Sequence, residues 1–396
     1  NPLFVPKKNG KLRTCIDYRK LNAVTKKDRY PLPLVMEHLR TTTQYSVFAK
    51  YDITDAFHRI KVYEPHRKLT AFKTPYGVFE FNVMPFGITN GPSVFQRYMD
   101  GILREHEDYA VWYIDDVLVM GNTKSEVERR ANGVLATLNL HGLEISVDKS
   151  HGPRQYTKFL GFIIGGNEIT PDLDKETIMD WPLPQNAHEW QVFCGLANWY
   201  RDHVPQLATA LAPLYARTGA DLTNDRRASV EFLHAKKALM KFQSTQRFNA
   251  DVALSVITDA SLFGIGAILV QEGRPIAIGS RSLSPAERNY TTTERELLAI
   301  VFAFKKWRHF FESTDMEILV HTDHMALTQE LNADSSNRRL NRWQIELGQY
   351  PIKFVHVSGV HNPADYPSRR PDFDPNWEGE GGESDKDDSL DFDPFQ

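Results

Sequence analysis

Val111-Trp112-Tyr113-Ile114-Asp115-Asp116-Val117-Leu118-Val119-Met120 is the stretch that decides how this chain is read. Apolar and aromatic residues run up to the two aspartates and away from them again. That pattern predicts two strands joined at a tight bend, with the carboxylates at its tip. Adjacent carboxylates repel one another, and any burial raises the cost of keeping both charged. Divalent cations resolve the conflict, since a hard ion such as Mg2+ takes oxygen ligands. A pair of ions about 4 Å apart can activate a hydroxyl nucleophile and neutralise a triphosphate. A third carboxylate has to come from another strand. Val47-Phe48-Ala49-Lys50-Tyr51-Asp52-Ile53 offers Asp52 at the end of its apolar run. Asp55 is the alternative, with a helix cap as its other reading.

Working outward, the first 165 or so residues mix short strands and helices, including a helix from Glu126 to Leu140. Residues 166–246 have helical character. Trp190–Tyr200 and Ala208–Tyr215 carry apolar residues at helical spacing, and Asp180-Trp181-Pro182 punctuates a helix end. Residues 247–370 read as a separate α/β domain, with strands at Leu254–Ile257, Gly264–Val270, Pro275–Gly279, Glu317–His321 and Ile352–Val357. A long helix spans Glu294–Phe311. The last 26 residues, 371–396, hold ten Asp/Glu against one Lys and are expected to be a disordered acidic tail.

This tail distorts the overall charge. The chain of 396 residues has a net charge of −4, yet the tail alone carries −9, which leaves a body of +5. Residues 1–30 carry nine Lys/Arg and two Asp, a basic entry suited to phosphate. No apolar run approaches the roughly 18 residues of a membrane helix, and no charged-then-apolar leader marks secretion. Cys15 and Cys194 stand far apart without metal-ligand spacing and read as free thiols in a reducing compartment. The first residue is Asn1, so the chain is expected to be a piece of something longer.

At this point a family resemblance is plain. Asp17-Tyr18-Arg19-Lys20-Leu21-Asn22, Tyr30-Pro31-Leu32-Pro33, Tyr51-Asp52-Ile53, Val83-Met84-Pro85-Phe86-Gly87, Phe95-Gln96-Arg97, Tyr113-Ile114-Asp115-Asp116 and Phe159-Leu160-Gly161 follow one another in the family's order and spacing. The chain resembles the reverse transcriptase and RNase H region of Gypsy-type (Metaviridae) LTR retrotransposon Pol polyproteins, relatives of retroviral polymerases. The likeness runs from Asn1 to about Arg370. It implies an α+β multidomain fold: a right-hand polymerase with partial fingers and palm (1–165) and a helical thumb or connection (166–246), then an RNase H-like α/β domain (247–370).

The resemblance also assigns roles. Asp52, Asp115 and Asp116 look like catalytic metal ligands. Lys7 or Lys8, with Arg13, resemble the residues that grip the incoming dNTP, and an arginine suits phosphate geometry. Lys149 resembles the palm lysine placed to protonate the leaving pyrophosphate. Phe57 takes the position of the aromatic ring beneath the incoming sugar. Gly87 resembles a point of close backbone approach to the template–primer, and Phe159, Leu160 and Gly161 resemble the primer grip.

The second domain holds four separated carboxylates: Asp259 after a strand, Glu296 on the long helix, Asp323 after a strand, and Asp365 in His361-Asn362-Pro363-Ala364-Asp365. Converged on one cavity they suit two-metal hydrolysis. Singly each has a plainer reading. Glu294 and Glu296 both fit surface helix charges, and Asp365 fits the first turn after an Asn362 cap. Thr258-Asp259-Ala260-Ser261, Ser280-Arg281, Asn289-Tyr290, Thr322-Asp323-His324 and Arg342-Trp343 resemble RNase H of the same elements. One departure is Tyr366-Pro367, where the family has Ala-Leu. Pro367 would break a continuing helix at a cost of about 3 kcal/mol, so the last helix is expected to be a short turn.

The resemblance implies an RNA- and DNA-directed DNA polymerase joined to an RNase H, with two Mg2+ ions per site and Mn2+ as a substitute. Its partners would be an RNA template, a DNA or RNA primer, RNA–DNA hybrid and dNTPs, with integrase, protease and capsid parts of the same polyprotein beside it. The expected location is a cytoplasmic virus-like particle, or the nucleus. Two other readings compete. A domesticated or decayed element would bind nucleic acid without catalysis, and a non-enzymatic interaction protein would have no use for Asp115-Asp116.

Overall fold

The computed structural model describes residues 2–6, 12–204, 207–216, 226–262, 264–322 and 338–356. The chain divides into two compact units, Asn1–Ile169 and Thr170–Gln396. The helical stretch after residue 170 therefore groups with the second unit.

In the first unit, β1 (Pro2–Pro6) and β2 (Leu12–Ile16) form an antiparallel ribbon, followed by helices α1 (Arg19–Val24) and α2 (Val35–Thr42). Its main sheet is built from β3 (Val47–Asp52), β6 (Ala110–Tyr113), β7 (Asp116–Gly121) and β8 (His151–Arg154), in the order β6-β7-β3-β8. The small hairpin of β4 (Phe72–Thr74) and β5 (Gly77–Phe79) lies between them in sequence. Side chains alternate across the pleat. Ala49, Tyr51, Ala110, Trp112, Val117 and Val119 share one face. That face buries itself against α3 (Gly91–Leu103) and α4 (Lys124–Leu140) through Phe95, Met99, Leu103, Val127, Ala131, Val134 and Leu138. The opposite face carries Phe48, Lys50 and Asp52 on β3, with Asp116, Leu118 and Met120 across from them on β7. A slip of one residue would carry Lys50, Asp52 and Asp116 into the face packed on α3 and α4, and that cost fixes the register.

The same unit ends in the hairpin of β9 (Thr157–Phe159) and β10 (Phe162–Gly165). Leu160 and Gly161 form its two-residue turn with φ of 50° and 83°. Positive φ at both central positions is the type I′ geometry, natural for Gly161 and costly for Leu160. β11 (Glu168–Pro171) spans the boundary between the units.

The second unit begins with helices α5 (Lys175–Met179), α6 (Ala187–Trp199), α7 (Leu207–Ala216) and α8 (Arg226–Leu239) and the short strand β12 (Thr245–Gln246). A five-stranded sheet follows, of β13 (Leu254–Ala260), β14 (Gly264–Gln271), β15 (Arg274–Ser282), β16 (Ile318–Thr322) and β17 (Ile352–His356). The order is β15-β14-β13-β16-β17, with antiparallel pairing from β13 to β15 and parallel pairing of β13, β16 and β17. Helix α9 (Thr292–Lys306) crosses between β15 and β16, as a parallel return requires. It buries Leu297, Ile300, Val301 and Phe304 with Val256, Ile265 and Leu269 of the sheet. The shorter helices α10 (Arg308–Phe311) and α11 (Arg338–Leu347) complete the described part of this layer. The long helix expected over Glu294–Phe311 is thus two segments, interrupted at Trp307.

Arg281 at the end of β15 donates two hydrogen bonds of 2.8 Å to the Glu287 carboxylate. This contact lowers the Glu287 pKa from 4.5 to about 2. A depressed carboxylate stabilises the fold above its unfolded pKa and loses that stabilisation as pH falls through the folded value. Arg281→Met is therefore expected to destabilise this unit by about 1–2 kcal/mol at pH 7, as for a well-formed bidentate pair, and much less near pH 2. Urea midpoints of the two proteins at both pH values test it, and an equal deficit at both would assign the loss to packing.

Candidate active sites

The β6–β7 hairpin closes through only Ile114 and Asp115, since Tyr113 pairs with Asp116. Ile114 sits at φ 56°, a conformation that glycine adopts freely and a β-branched residue does not. Such strain, on the order of 1–3 kcal/mol, persists only where surrounding contacts hold it. Here the contact is Gln96, which is fully buried on α3 and accepts a 2.8 Å hydrogen bond from the Ile114 N–H. Its amide in turn donates to Asp100 at 2.8 Å, and Trp112 Nε1 donates to the same Asp100 oxygen at 2.7 Å. Tyr30 O–H completes the set on the other Asp100 oxygen. The motifs around Tyr30, Gln96 and Asp115 are thus parts of one hydrogen-bonded scaffold beneath the turn. Gln96 was quoted in the sequence only as part of a motif, and nothing in its spacing announced this role.

Gln96→Leu would leave the half-buried Ile114 N–H without its acceptor, at a cost of about 1 kcal/mol. The variant is expected to unfold at lower temperature and, if the turn positions a reacting group, to lose DNA synthesis while keeping hybrid cleavage. Assays of both activities on one preparation check this.

The turn brings the expected acids together. Asp52 and Asp116 are direct cross-strand partners, and the Ile53 N–H donates to the Asp115 carbonyl at 2.9 Å. Burial pushes the Asp115 carboxyl above the usual carboxylate range, and the nearby Asp116 and Asp52 push it further. Lys149 Nζ lies 2.9 and 3.2 Å from the two Asp52 oxygens, and Lys50 Nζ lies 3.0 Å from Asp116 Oδ1. Asp55, the alternative third acid, is exposed at φ 49° at the start of the Ala56–Arg59 turn, where its side chain caps nothing. Among the described residues, no three His, Cys, Asp or Glu side chains form a group able to hold a metal ion as they stand. What the site presents is three carboxylates at one end of a sheet with two lysines drawn onto them. That hard-oxygen, charge-repelling donor set fits a divalent cation.

The other sequence candidates of this unit fall around that centre. Phe57 lies on the Ala56–Arg59 turn, its ring 5.5 Å from Phe86 and 5.9 Å from Phe95. Gly87 has φ 92°, which explains the glycine, and its carbonyl accepts a 2.8 Å bond from Asn22 Nδ2. Phe159 is buried beside the Leu160-Gly161 turn. Arg13 lies on β2 opposite Val5. Lys7 and Lys8 lie outside the described residues.

In the second unit, Asp259 on β13 and Glu296 on α9 are 3% and 4% exposed. Glu296 Oε1 accepts a 3.3 Å bond from the N–H of Ala260, the residue after Asp259. The strand end and the helix thus bury two acids side by side. Glu294 is also buried but is spent otherwise. It closes a capping box with Thr291 and pairs with Arg339 at 3.0 Å. That separates Glu294 from Glu296, the candidate named in the sequence, for both of which a surface helix charge was the plainer reading. Asp323 and Asp365 lie outside the described residues. Two buried acids at one locus are costly to ionise together and suit a cation, on the same chemistry as the first site.

Comparison with known proteins agrees with both halves. Residues 5–164 match the family of reverse transcriptases (RNA-dependent DNA polymerases), and residues 249–350 match the RNase H-like domain found in reverse transcriptase. The Tf2-3 transposon polyprotein of Schizosaccharomyces pombe is 33% identical over 375 residues, covering 91% of this chain and 28% of the polyprotein. The retrovirus-related Pol polyprotein from transposon gypsy of Drosophila melanogaster is 34% identical over 375 residues, 89% of this chain and 36% of that protein. The chain thus spans about a third of the curated relatives it matches. Among solved structures, a foamy viral protease–reverse transcriptase in complex with double-stranded DNA superposes with TM-score 0.73 at 21% identity, over 89% of this chain and 64% of that one. A second complex of that protein with double-stranded DNA gives 0.72 at 22% identity, over 90% and 77%. This likeness establishes the fold, a right-hand polymerase followed by an RNase H-like domain. The chain thus carries a reverse transcriptase domain followed by an RNase H-like domain found in reverse transcriptase, and over most of its length it is similar to the gypsy and Tf2 LTR-retrotransposon polyproteins.

Proposed function

We propose that this chain is an RNA- and DNA-directed DNA polymerase that also cleaves the RNA strand of RNA–DNA hybrids, within a retrotransposon's replication machinery. The observation that carries the reading is the meeting of Asp52, Asp115 and Asp116 at one sheet end, with the Asp115 carboxyl pushed up by burial and by its two neighbours. A group so perturbed in a built turn is the mark of a functional site. The buried pair Asp259 and Glu296 on a separate fold supports the second activity. Copying an RNA template and then removing it explains why one chain would carry both.

Asp52 and Asp115 would hold divalent cations in the polymerase site, where Asp116 stands beside them without being needed as a ligand, and Asp259 and Glu296, joined by Asp323 and Asp365, would hold them in the nuclease site. Bound Mg2+, or Mn2+ in its place, supplies Lewis-acid activation of the attacking oxygen and neutralisation of phosphate charge. The protein's own groups do the rest. Lys149 keeps its proton, since Asp52 and the neighbouring acids raise its pKa. It can deliver that proton to a leaving pyrophosphate oxygen. Lys7, Lys8 and Arg13 would bind the triphosphate, and Gly87 and the Phe159–Gly161 turn would support the template–primer. Integrase, protease and capsid parts of the same polyprotein, in a cytoplasmic virus-like particle, are the proposed company.

Primer extension on an RNA template with Mg2+, with template cleavage read on the same gel, tests the proposal. Extended primer and shortened template are the expected products. Binding of hybrid with neither product would favour a nucleic-acid-binding remnant.

A further inference from the structure

We infer that Lys50 is the built-in counter-cation of Asp116, which it keeps out of the metal-binding set so that Asp52 and Asp115 alone compete for the divalent ion. The inference rests on the polymerase reading above and assigns a positioning role to a residue outside the motif carboxylates. Lys50 and Asp52 are two apart on β3 and share a face, with Asp116 directly opposite Asp52. Lys50 and Asp116 are therefore diagonal neighbours across the strand pair, within reach of a long side chain. The ammonium lies 3.0 Å from Asp116 Oδ1.

The two lysines of the site differ in how firmly they are held. Lys149 belongs to a short surface turn, and its side chain is 66% exposed. It can leave Asp52 for water or for phosphate at little cost. The Lys50 side chain is only 19% exposed. Phe48 and Leu118, on the same sheet face, are fully buried, and the Phe159 ring lies 6.0 Å from the ammonium. Moving that ammonium off its carboxylate strands a charge in apolar surroundings, and breaking one partner from such a pair is costly. A divalent ion approaching Asp116 would also meet a fixed positive charge about 3 Å from its ligand oxygen, a repulsion that low local dielectric strengthens. Asp115 is the opposite case. Among the described residues no lysine or arginine is ion-paired with its carboxylate, since Lys50 lies on Asp116 and Lys149 on Asp52. Most of the attraction for a divalent ion therefore falls on Asp115 and on Asp52 once Lys149 has moved.

The test uses the whole chain with Asp259→Asn to silence the second site, free of nucleic acid, and reads Mn2+ binding by electron paramagnetic resonance. Asp116→Asn is expected to leave the Mn2+ dissociation constant within about twofold, whereas Lys50→Met should free Asp116 and tighten Mn2+ by about tenfold. Lys50→Met should also melt earlier in chelator and regain more stability from Mg2+ than the parent does. Adding Asp116→Asn to Lys50→Met should cancel the tightening. Lys50→Arg, which keeps the charge, should bind like the parent. A tenfold loss of Mn2+ affinity in Asp116→Asn, or unchanged affinity in Lys50→Met, would overturn the inference, and the first outcome does so even if Lys50→Met fails to fold. Asp115→Asn separates the two levels. If that variant binds Mn2+ as tightly as its parent, the site is no metal site and the polymerase reading itself fails.

Discussion

Asp115→Asn is expected to stop DNA synthesis while leaving cleavage of the RNA strand of a hybrid intact, and Asp259→Asn is expected to do the reverse. The loss in each case should reach about three orders of magnitude, because a metal-binding carboxylate supports several kcal/mol of transition-state charge and each 1.36 kcal/mol is a decade in rate. The separation follows from where the acids sit. Asp115 is in a two-residue turn of the first unit, and Asp259 is near the end of a strand in the second. Asparagine keeps the shape of aspartate and removes its charge, so neither fold should suffer. Asp115→Asn should in fact relieve the repulsion that raises the Asp115 pKa, and its melting temperature in chelator should not fall. Loss of both activities from either change, with melting curves unchanged, would refute the assignment of two independent sites.

Much of this architecture was legible because its signals were local. The hairpin around Asp115-Asp116 declares itself by apolar runs on both sides of a two-residue gap, and the observed strands Ala110–Tyr113 and Asp116–Gly121 differ from that reading by one residue at their ends. Asp52 was preferred over Asp55 for its place at the end of an apolar run. The structure sets Asp52 in the sheet beside Asp116 and leaves Asp55 exposed on a turn. What escaped the sequence is what depends on contacts far along the chain. Gln96 reaches Ile114 across 18 residues, and Lys149 reaches Asp52 across 97. No periodicity encodes such partners. Strands β8 to β10 were also missed, since strands of three or four residues are too short to show a period, and β8 itself contains Gly152 and Pro153. The two glutamates of α9 show the limit most clearly. Taken singly, Glu294 and Glu296 both fitted surface helix charges in the sequence. Both are buried, because Arg339 and the Thr291 cap cover Glu294 from outside.

Phe57→Val is expected to raise ribonucleotide incorporation relative to deoxynucleotide incorporation by about two orders of magnitude, the upper range for a contact that differs by one small group. The chain resembles a family in which this position places an aromatic ring under the incoming sugar, and the packing here shows why such a ring would not yield. Phe57 follows Asp55, at φ 49°, on a one-turn helix. Phe86 stands 5.5 Å away at a tilt of 60°, and Phe95, which is fully buried, stands 5.9 Å away edge-on. Phe86 is itself braced by His58 at 4.9 Å. A 2′-hydroxyl pressed against that ring finds no acceptor and cannot displace it without disturbing two other aromatics, so it loses its water without recompense. The same packing gives Phe57 a share in the core, and valine would leave a cavity there, costing about 1–3 kcal/mol of stability. Lower stability alone therefore decides nothing. A purely structural Phe57 predicts that kcat/KM for matched ribo- and deoxynucleotides falls by the same factor in the variant. A steric gate predicts that the deoxynucleotide value falls while the ribonucleotide value rises. The ratio of the two, measured at a single template position in wild type and variant, distinguishes these outcomes, and an unchanged ratio would remove Phe57 from sugar selection.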